Sequence, residues 1–439
     1  MTTPAQTTAC ELPLQGLGAV PLAGYLASLG LLKAVASQAD ASATLRWDDE
    51  RPVLSSAVGD VAQWLLDEYR PTPVLSPWNG GSGFGAKDGN QKRALEELLA
   101  LDASRVGAFQ ESYPVAAAVA EESLSGRWSK QRVIRELRNR APDALLEWLD
   151  AAVVLVGDDL AFPPLLGTGG NDGRLDFSTN FHQRLLDVLR PGNRSASLRW
   201  ARSLTTGESE RLVPAAVGQF DPFGAGGRNS SVFGAADSVV NPWLYVLMVE
   251  GATTVAAGVS RRLGVERGRA AMPFTVWGSP DGGGAGADSE DSRGEFWAPT
   301  WREPLTWPEV SQLFREARAS WRGRTAARAV QMYEACRVMG VARGVDGFTR
   351  YGFRQRNGLA FVAVAVDDVR VRAMPEVRLA GPLEDWLDEM RRAQPPAAVA
   401  LELRRADAAH VSFAKEGGGH RLLELLAAVT RLELAAGRS

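Results

Sequence analysis

The chain has 439 residues, 45% hydrophobic and 23% charged, with a formal net charge of −3. This is ordinary globular composition, with core material for more than one domain. No apolar run reaches the roughly 18 residues of a membrane span. Cys10 and Cys336 are the only cysteines, too few for a disulfide framework or a zinc site. The start, MTTPAQTTACELPL, lacks the basic and apolar regions of a signal peptide, so a cytoplasmic location is expected.

Pro21 to Gln38 puts Leu22, Tyr25, Leu26, Leu29, Leu32 and Val35 on one stripe, which predicts a helix entered at a first-turn proline. Thr44–Trp47 and Pro52–Leu54 predict short strands around the acidic turn at 48–50. Val58 to Tyr69 predicts a second helix, stopped before Pro71 and Pro73. Residues 75–90, LSPWNGGSGFGAKDGN, form a glycine loop bracketed by Trp78 and Phe84 and followed by Lys87 and Lys92. Aromatics beside Asn79, Ser82 and lysines suit base stacking or phosphate contact. The same residues also describe a loop pinned to the core. Helices are predicted over 91–101 and within 133–156. The basic run of Lys130, Arg132, Arg135, Arg138 and Arg140, opposed only by Glu136, reads first as a solvated helical face and second as a nucleic-acid face.

A second glycine loop, Gly167-Thr168-Gly169-Gly170-Asn171-Asp172-Gly173, ends on Arg174. Consecutive N–H groups in such a loop can cradle an anion, and so can the helix N-terminus that follows. A tight polar turn between core elements is the other reading. Phe177, Phe181, Leu185 and Leu189 predict that helix, capped by Asp176 or Ser178. A third loop, Phe220 to Asn229, exits on Arg228 and Asn229. Asn241 to Leu263 predicts one long helix, with Asn241 as cap and Pro242 at its first position. Asp281 to Gly294 is acidic and glycine-rich and reads as a linker. Thr306 and Glu309 form a capping box that opens a helix over 308–319, and a second helix is predicted over 324–339. Ala360–Val366 and Val369–Arg372 predict a hairpin turning at Asp367–Asp368. The tail from 383 to 434 is predicted helical, broken at Pro395–Pro396 and Gly417–Gly419.

The fold class that follows is α+β, predominantly helical, with small antiparallel sheets or hairpins, long glycine-rich loops and a helical C-terminal region. The predicted division is an α+β domain over 1–280, a flexible acidic linker over 281–294, and an Arg-rich helical region over 295–439 with a hairpin near 350–372. Between 315 and 356 ten arginines meet only Glu316, Glu334 and Asp346, a local excess of seven positive charges. Clustering of this kind concentrates positive field on one region.

Catalytic constellations are absent from the sequence. It has no Gly-x4-Gly-Lys-Ser/Thr phosphate loop and no Gly-x-Ser-x-Gly elbow, and histidine occurs only at 182, 410 and 420. Asp172 and Asp176 are the carboxylate pair worth weighing, and they keep a carboxylate-dependent hydrolase as one alternative. A purely architectural protein-binding subunit is another. No cofactor and no metal are expected.

Five segments together resemble one family: SPWNGGSGF at 76–84, LLGTGGNDGRLDFSTNF at 165–181, NPWLYVLMVEGA at 241–252, EFWAPTW at 295–301 and RYGFRQRNGLAFVAV at 350–364. That family is the large subunit of the type I-G (formerly I-U) CRISPR surveillance complex, Cascade. The opening PLAGYLASLGLLKAVASQAD also resembles that family's first helix. The likeness runs in order from residue 10 to about 370.

The resemblance implies a non-enzymatic subunit that holds the 5′ end of the guide RNA. It would read a protospacer-adjacent motif in target duplex DNA and promote R-loop formation. Its partners would be the guide RNA, double-stranded DNA, the backbone and handle-binding subunits and a helicase-nuclease, with no membrane. In such complexes the protein reads the short motif while base pairing reads the target. On residue chemistry, Asn79, Ser82, Thr168, Asn171, Asn229 and Asn357 would offer polar groups to bases or phosphates, and Trp78 would serve as wedge or stacking platform. Lys87, Arg174, Arg228, Arg350, Arg354 and Arg356 would supply charge to the phosphate backbone.

Overall fold

A computed structural model describes residues 9–85, 87–172, 175–216, 219–222, 224, 238–256, 258–260, 269–271, 273–276, 292–355 and 361–438. Two compact units emerge. The first gathers the chain up to Pro273 with Arg302–Glu316 and Arg354–Ala365. The second gathers Phe274–Trp301, Ala317–Phe353 and Val366–Ser439. The fold is α+β and predominantly helical, with small antiparallel sheets and a helical C-terminal region.

The first unit holds ten helices among the described residues: α1 (Leu22–Gln38), α2 (Val61–Asp67), α3 (Gly89–Leu99), α4 (Ala103–Gly126), α5 (Lys130–Arg140), α6 (Asp143–Ala152), α7 (Phe177–Leu189), α8 (Arg194–Thr206), α9 (Pro242–Ala252) and α10 (Trp307–Glu316). Its core is the pair α1 and α9. Every residue of α1 from Leu22 to Ala36 is buried, so the helix is covered on all sides rather than on one stripe. The two helices meet at backbone distance. A Cβ on Gly251 would fall 1.8 Å from the Leu26 carbonyl oxygen, so only glycine fits there.

A buried charge network ties the same pair. Lys33 donates to Glu250 at 3.0 Å and Thr253 at 2.8 Å, and Glu250 also accepts from Tyr69 and from the Thr72 hydroxyl, each at 2.7 Å. Both charges are matched, which is what makes their burial tolerable. A four-stranded antiparallel sheet flanks α1, with strands ordered Cys10–Pro13, Arg51–Ser56, Thr44–Asp48 and Leu305–Thr306. Trp47 on this sheet stacks on Tyr25 of α1 at 5.1 Å.

Local sequence chemistry set several boundaries as expected. Asn241 caps α9, accepting from the N–H groups of Trp243 and Leu244. Glu309 reaches back to the Thr306 N–H at 2.8 Å, half of a capping box. Three expectations are corrected. The helix expected to run to Leu263 ends at Ala252, where Thr253, Thr254 and Val255 follow Gly251, and a short strand occupies Gly258–Ser260. The helix expected over 324–339 spans 329–337. Ahead of it Ser320–Trp321 and Arg324–Thr325 pair as a hairpin whose turn holds Arg322 at φ 48°. The strand Phe361–Arg370 runs straight through Asp367–Asp368, so no turn occurs there. The 24-residue helix α4 had no counterpart in the sequence reading, because Gly107 and Pro114 interrupt its pattern.

The second unit holds α11 (Ala329–Arg337), α12 (Gly381–Arg392), α13 (Ala397–Glu416) and α14 (Gly419–Ala436). Breaks at Pro395–Pro396 and Gly417–Gly418 separate the last three, as the sequence predicts. Its sheet carries, in order, Thr275–Val276, Ser292–Thr300, residues 347–353 and residues 366–370. Trp297 and Phe348 from this sheet meet edge to face at 6.2 Å, and Trp297 meets Tyr333 of α11 at 5.0 Å.

Candidate nucleic-acid interface

In the first unit the two described glycine loops dock on each other. The Trp78 indole donates to the Gly169 carbonyl at 2.8 Å, and the Asn79 amide donates to the same carbonyl at 2.7 Å. Ser82 donates back to the Asn79 carbonyl at 2.7 Å, and Thr179 of α7 donates to Gly81 at 2.6 Å. Gly170 sits against Trp148 with φ 83°, and a Cβ there would lie 2.7 Å from the indole ring. Glycine at 170 is therefore a packing requirement of this junction.

Several of the backbone N–H groups that could have cradled a foreign anion are already used. Those of Gly83 and Gly85 point to the Asp88 carboxylate at 3.2 and 2.9 Å. Those of Thr168 and Gly170 bond to the carbonyls of Asn171 and Leu166. The N-terminus of α7 is occupied by Asp176, which accepts from Ser178 at 2.5 Å and from the Thr179 N–H at 2.8 Å. These N–H groups and the start of α7 thus hold the chain's own carboxylates and carbonyls.

Burial raises the Asp176 carboxyl to about 6, against the hydrogen bonds from Ser178 and Thr179 that hold it down. His182 on the same helix is pushed down to about 4 by burial, with its Nε2 2.7 Å from the Val74 carbonyl oxygen.

Several sequence assignments change accordingly. Trp78, Asn79 and Ser82 are buried and engaged inside the protein, so they hold the loops rather than offer a wedge or a base contact. Phe84 stacks on Tyr113 at 5.9 Å. Thr168 is exposed, its hydroxyl donating to the Asn171 carbonyl. Asn171 is half-buried, and its side-chain oxygen has no hydrogen-bond donor among the described residues. Lys87 is exposed. Arg174, Arg228, Asn229, Arg356 and Asn357 lie outside the described residues.

The basic run at 130–140, read first as a solvated face, borders this junction. Lys130, the first residue of α5, donates to the Asn79 side-chain oxygen at 3.0 Å and to the Thr168 carbonyl at 3.1 Å, and it lies 5.1 Å from the Phe162 ring centre. Burial lowers its ammonium, with Asp176 partly compensating. Two residues on, the exposed Arg132 guanidinium lies 4.2 Å from the ring centre of the half-buried Trp128, a cation–aromatic pair. The rest of the basic face of α5 is neutralised. Arg135 pairs with Asp158 at 2.6 Å, Arg138 with Asp150 at 2.6 Å, and Arg140 with Glu122 and Glu136 at 2.7 and 2.9 Å. The available signal was Trp128 placed just before the Ser129 cap and four residues before Arg132.

In the second unit Arg337 and Arg350 are buried, Arg318 and Arg328 are half-buried, and Arg322, Arg324 and Arg343 are exposed. Arg350 is 3% exposed, bonded through its Nε to Glu295 at 2.8 Å and through a terminal nitrogen to the Tyr333 hydroxyl at 3.1 Å. It belongs to a core ion pair, which removes it from the expected phosphate contacts. Arg322 pairs with Asp385 at 2.7 Å, and Arg328 with Glu384 and Asp388 at 3.4 and 3.2 Å. Arg337 donates to the Lys415 carbonyl at 2.9 Å. The acidic stretch at 384–388 thus folds onto the arginines. His410 joins the same cluster, 2.9 Å from Glu334 and 3.5 Å from Glu384. Burial alone would lower its imidazole, but the two carboxylates raise it to about 9. Arg354 is half-buried near the end of its strand. Arg324 is exposed.

Neither the models of known protein families nor the curated proteins contain a match to this chain. None of its described helices is long and apolar enough to cross a membrane.

Proposed function

We propose that this chain is the non-catalytic large subunit of a type I-G CRISPR surveillance complex, which binds guide RNA and target duplex DNA beside the short motif. The motif resemblance supports this reading. The single observation that carries it in three dimensions is the Trp128–Arg132 pair beside Lys130 on the rim of the docked loops. A guanidinium held against an indole suits both a phosphate and a nucleotide base. Exposed Lys87 and Thr168 extend the polar rim, and below it the buried Asn171 side-chain oxygen has no donor among the described residues. Less supports the hydrolase alternative, since Asp176 is the buried cap of α7 and its carboxylate is engaged by Ser178 and Thr179.

In this role the cations neutralise phosphates and fix register, and sequence reading beyond the motif falls to base pairing. The test is DNA binding by the assembled complex across a salt series. Combining Lys87→Ala with Arg132→Ala is expected to weaken binding to all sequences and to reduce the salt slope by about one for each phosphate no longer neutralised. An unchanged slope would remove these residues from the DNA path. Asn171→Ala is expected to change motif preference rather than overall affinity.

A further inference from the structure

The C-terminal helix α14 has two apolar faces. One buries Leu425, Ala428 and Leu432 against the other tail helices, where Ala428 and Leu432 join Leu387, Val399, Leu403 and Ala406. The opposite ridge is formed by Leu423, Ala427, Thr430 and Leu434, which fall within about 60° of one another at 3.6 residues per turn. Leu423 is 67% exposed and Leu434 55%, and Leu426 beside them is 53% exposed. A helix that meets only water on its outer side carries charge there, as α13 does with the exposed Arg404 and Arg405. The outer ridge of α14 carries none.

The spacing of that ridge is 4-3-4, the same read from either end. A two-fold contact between identical surfaces needs this kind of self-complementarity. Two antiparallel copies centred between Ala427 and Thr430 set each Leu423 against the other copy's Leu434. The small Ala427 and Thr430 then meet at the crossing, where the backbones approach most closely. Charge follows the same symmetry. Glu424 and Arg431 lie on one flank of the ridge, and in the antiparallel arrangement each faces its opposite on the second copy. Their present ties are long, Glu424 to His420 at 3.6 Å and Arg431 to Glu402 at 3.6 Å, and both side chains are about half exposed, at 55% and 53%.

We propose that the outer face of α14 is a self-association surface through which two copies of this chain pair in antiparallel fashion. A helix of this length covers an area at the low end of specific interfaces, under about 1,200 Å², so the pairing is reversible and depends on concentration.

Sedimentation of the full-length chain over roughly 1 to 300 µM, the range such interfaces span, tests this. The expected result is a mass that rises from one chain towards two. Leu423→Asp with Leu434→Asp should hold the chain at one copy throughout, with an unchanged thermal melt. Glu424→Arg should weaken pairing about tenfold, the size of effect expected when one favourable charge pair turns repulsive, and adding Arg431→Glu should restore it. In a Cys10→Ser background, Leu423→Cys combined with Leu434→Cys should cross-link two chains on mild oxidation, and Leu423→Cys alone, about 16 Å from its own copy along the axis, should not. A wild-type chain that stays single throughout would overturn the proposal, since the ridge would then serve another protein. A dimer that survives the Leu→Asp changes, or one cross-linked by Leu423→Cys alone, would overturn it equally.

Discussion

At the loop junction of the first unit, order comes from neutral hydrogen bonds converging on one carbonyl, that of Gly169. In the second unit, order comes from ion pairs between arginines at 322–350 and carboxylates supplied by Glu295, Glu384, Asp385 and Asp388. Both regions look like anion-binding surfaces in sequence, one by its glycines and one by its charge. Both have filled much of that capacity from within. A glycine loop or an arginine run therefore marks a place where the chain needs partners for its donors, and a carboxylate far away in sequence can be what satisfies them. What stays open to another molecule is the remainder, and in the first unit that remainder includes the exposed Lys87 and Arg132.

The largest effect is expected at the buried ionic site. Arg350→Ala leaves Glu295 charged and unpaired in the core, so a loss of roughly 3–5 kcal/mol is expected in denaturant unfolding. A loss below about 1 kcal/mol, typical of exposed pairs, would mean that Arg350 is not buried as described. At the loop junction, Asp176→Ala removes the cap of α7 and should cost about 1–2 kcal/mol. A variant as stable as wild type would show that the junction does not depend on that carboxylate.

The two regions also separate by pH. The folded-state values of Asp176 and His410 both lie above the ordinary ones, about 6 against 3.8 and about 9 against 6.5. Each group therefore binds more protons in the folded chain, and its stabilisation fades as pH rises. For Asp176 the loss falls between about pH 4 and 6, and for His410 between about 6.5 and 9. His182 works in the opposite sense over about pH 4 to 6.5, because its folded value is depressed. Differences between wild type and single variants isolate each group. Stability curves for Asp176→Asn and His410→Gln should depart from wild type in these separate windows, and coincident windows would break the comparison. The smallest effect is expected at exposed pairs such as Arg194–Asp67, 2.5 Å apart on the surface. Arg194→Ala should cost less than about 1 kcal/mol.

Much of the fold was legible because caps and breakers act locally. Asn241, the Thr306–Glu309 pair, Pro395–Pro396 and Gly417–Gly418 mark boundaries through their own backbone chemistry. The site was less legible because its chemistry is long-range. Nothing near Arg350 in sequence indicates Glu295, and nothing near Asn79 indicates Lys130 or Gly169. Counting charges within a window of the chain gave a strongly positive region, and folding brought the acidic stretch from 384 onto it. Trp128 and Arg132 could have been paired from their spacing, but the basic face around them drew attention to charge rather than stacking.

That this chain works on nucleic acid only within an RNA-guided complex is tested most directly by co-expression with a guide RNA and candidate backbone subunits. The chain is expected to co-purify with them and to shift motif-bearing duplex DNA only in their presence. Lys87→Ala with Arg132→Ala is expected to weaken that shift while leaving assembly intact. A chain that hydrolyses a substrate when purified alone, or an assembled complex whose DNA affinity is untouched by the double variant, would contradict this account.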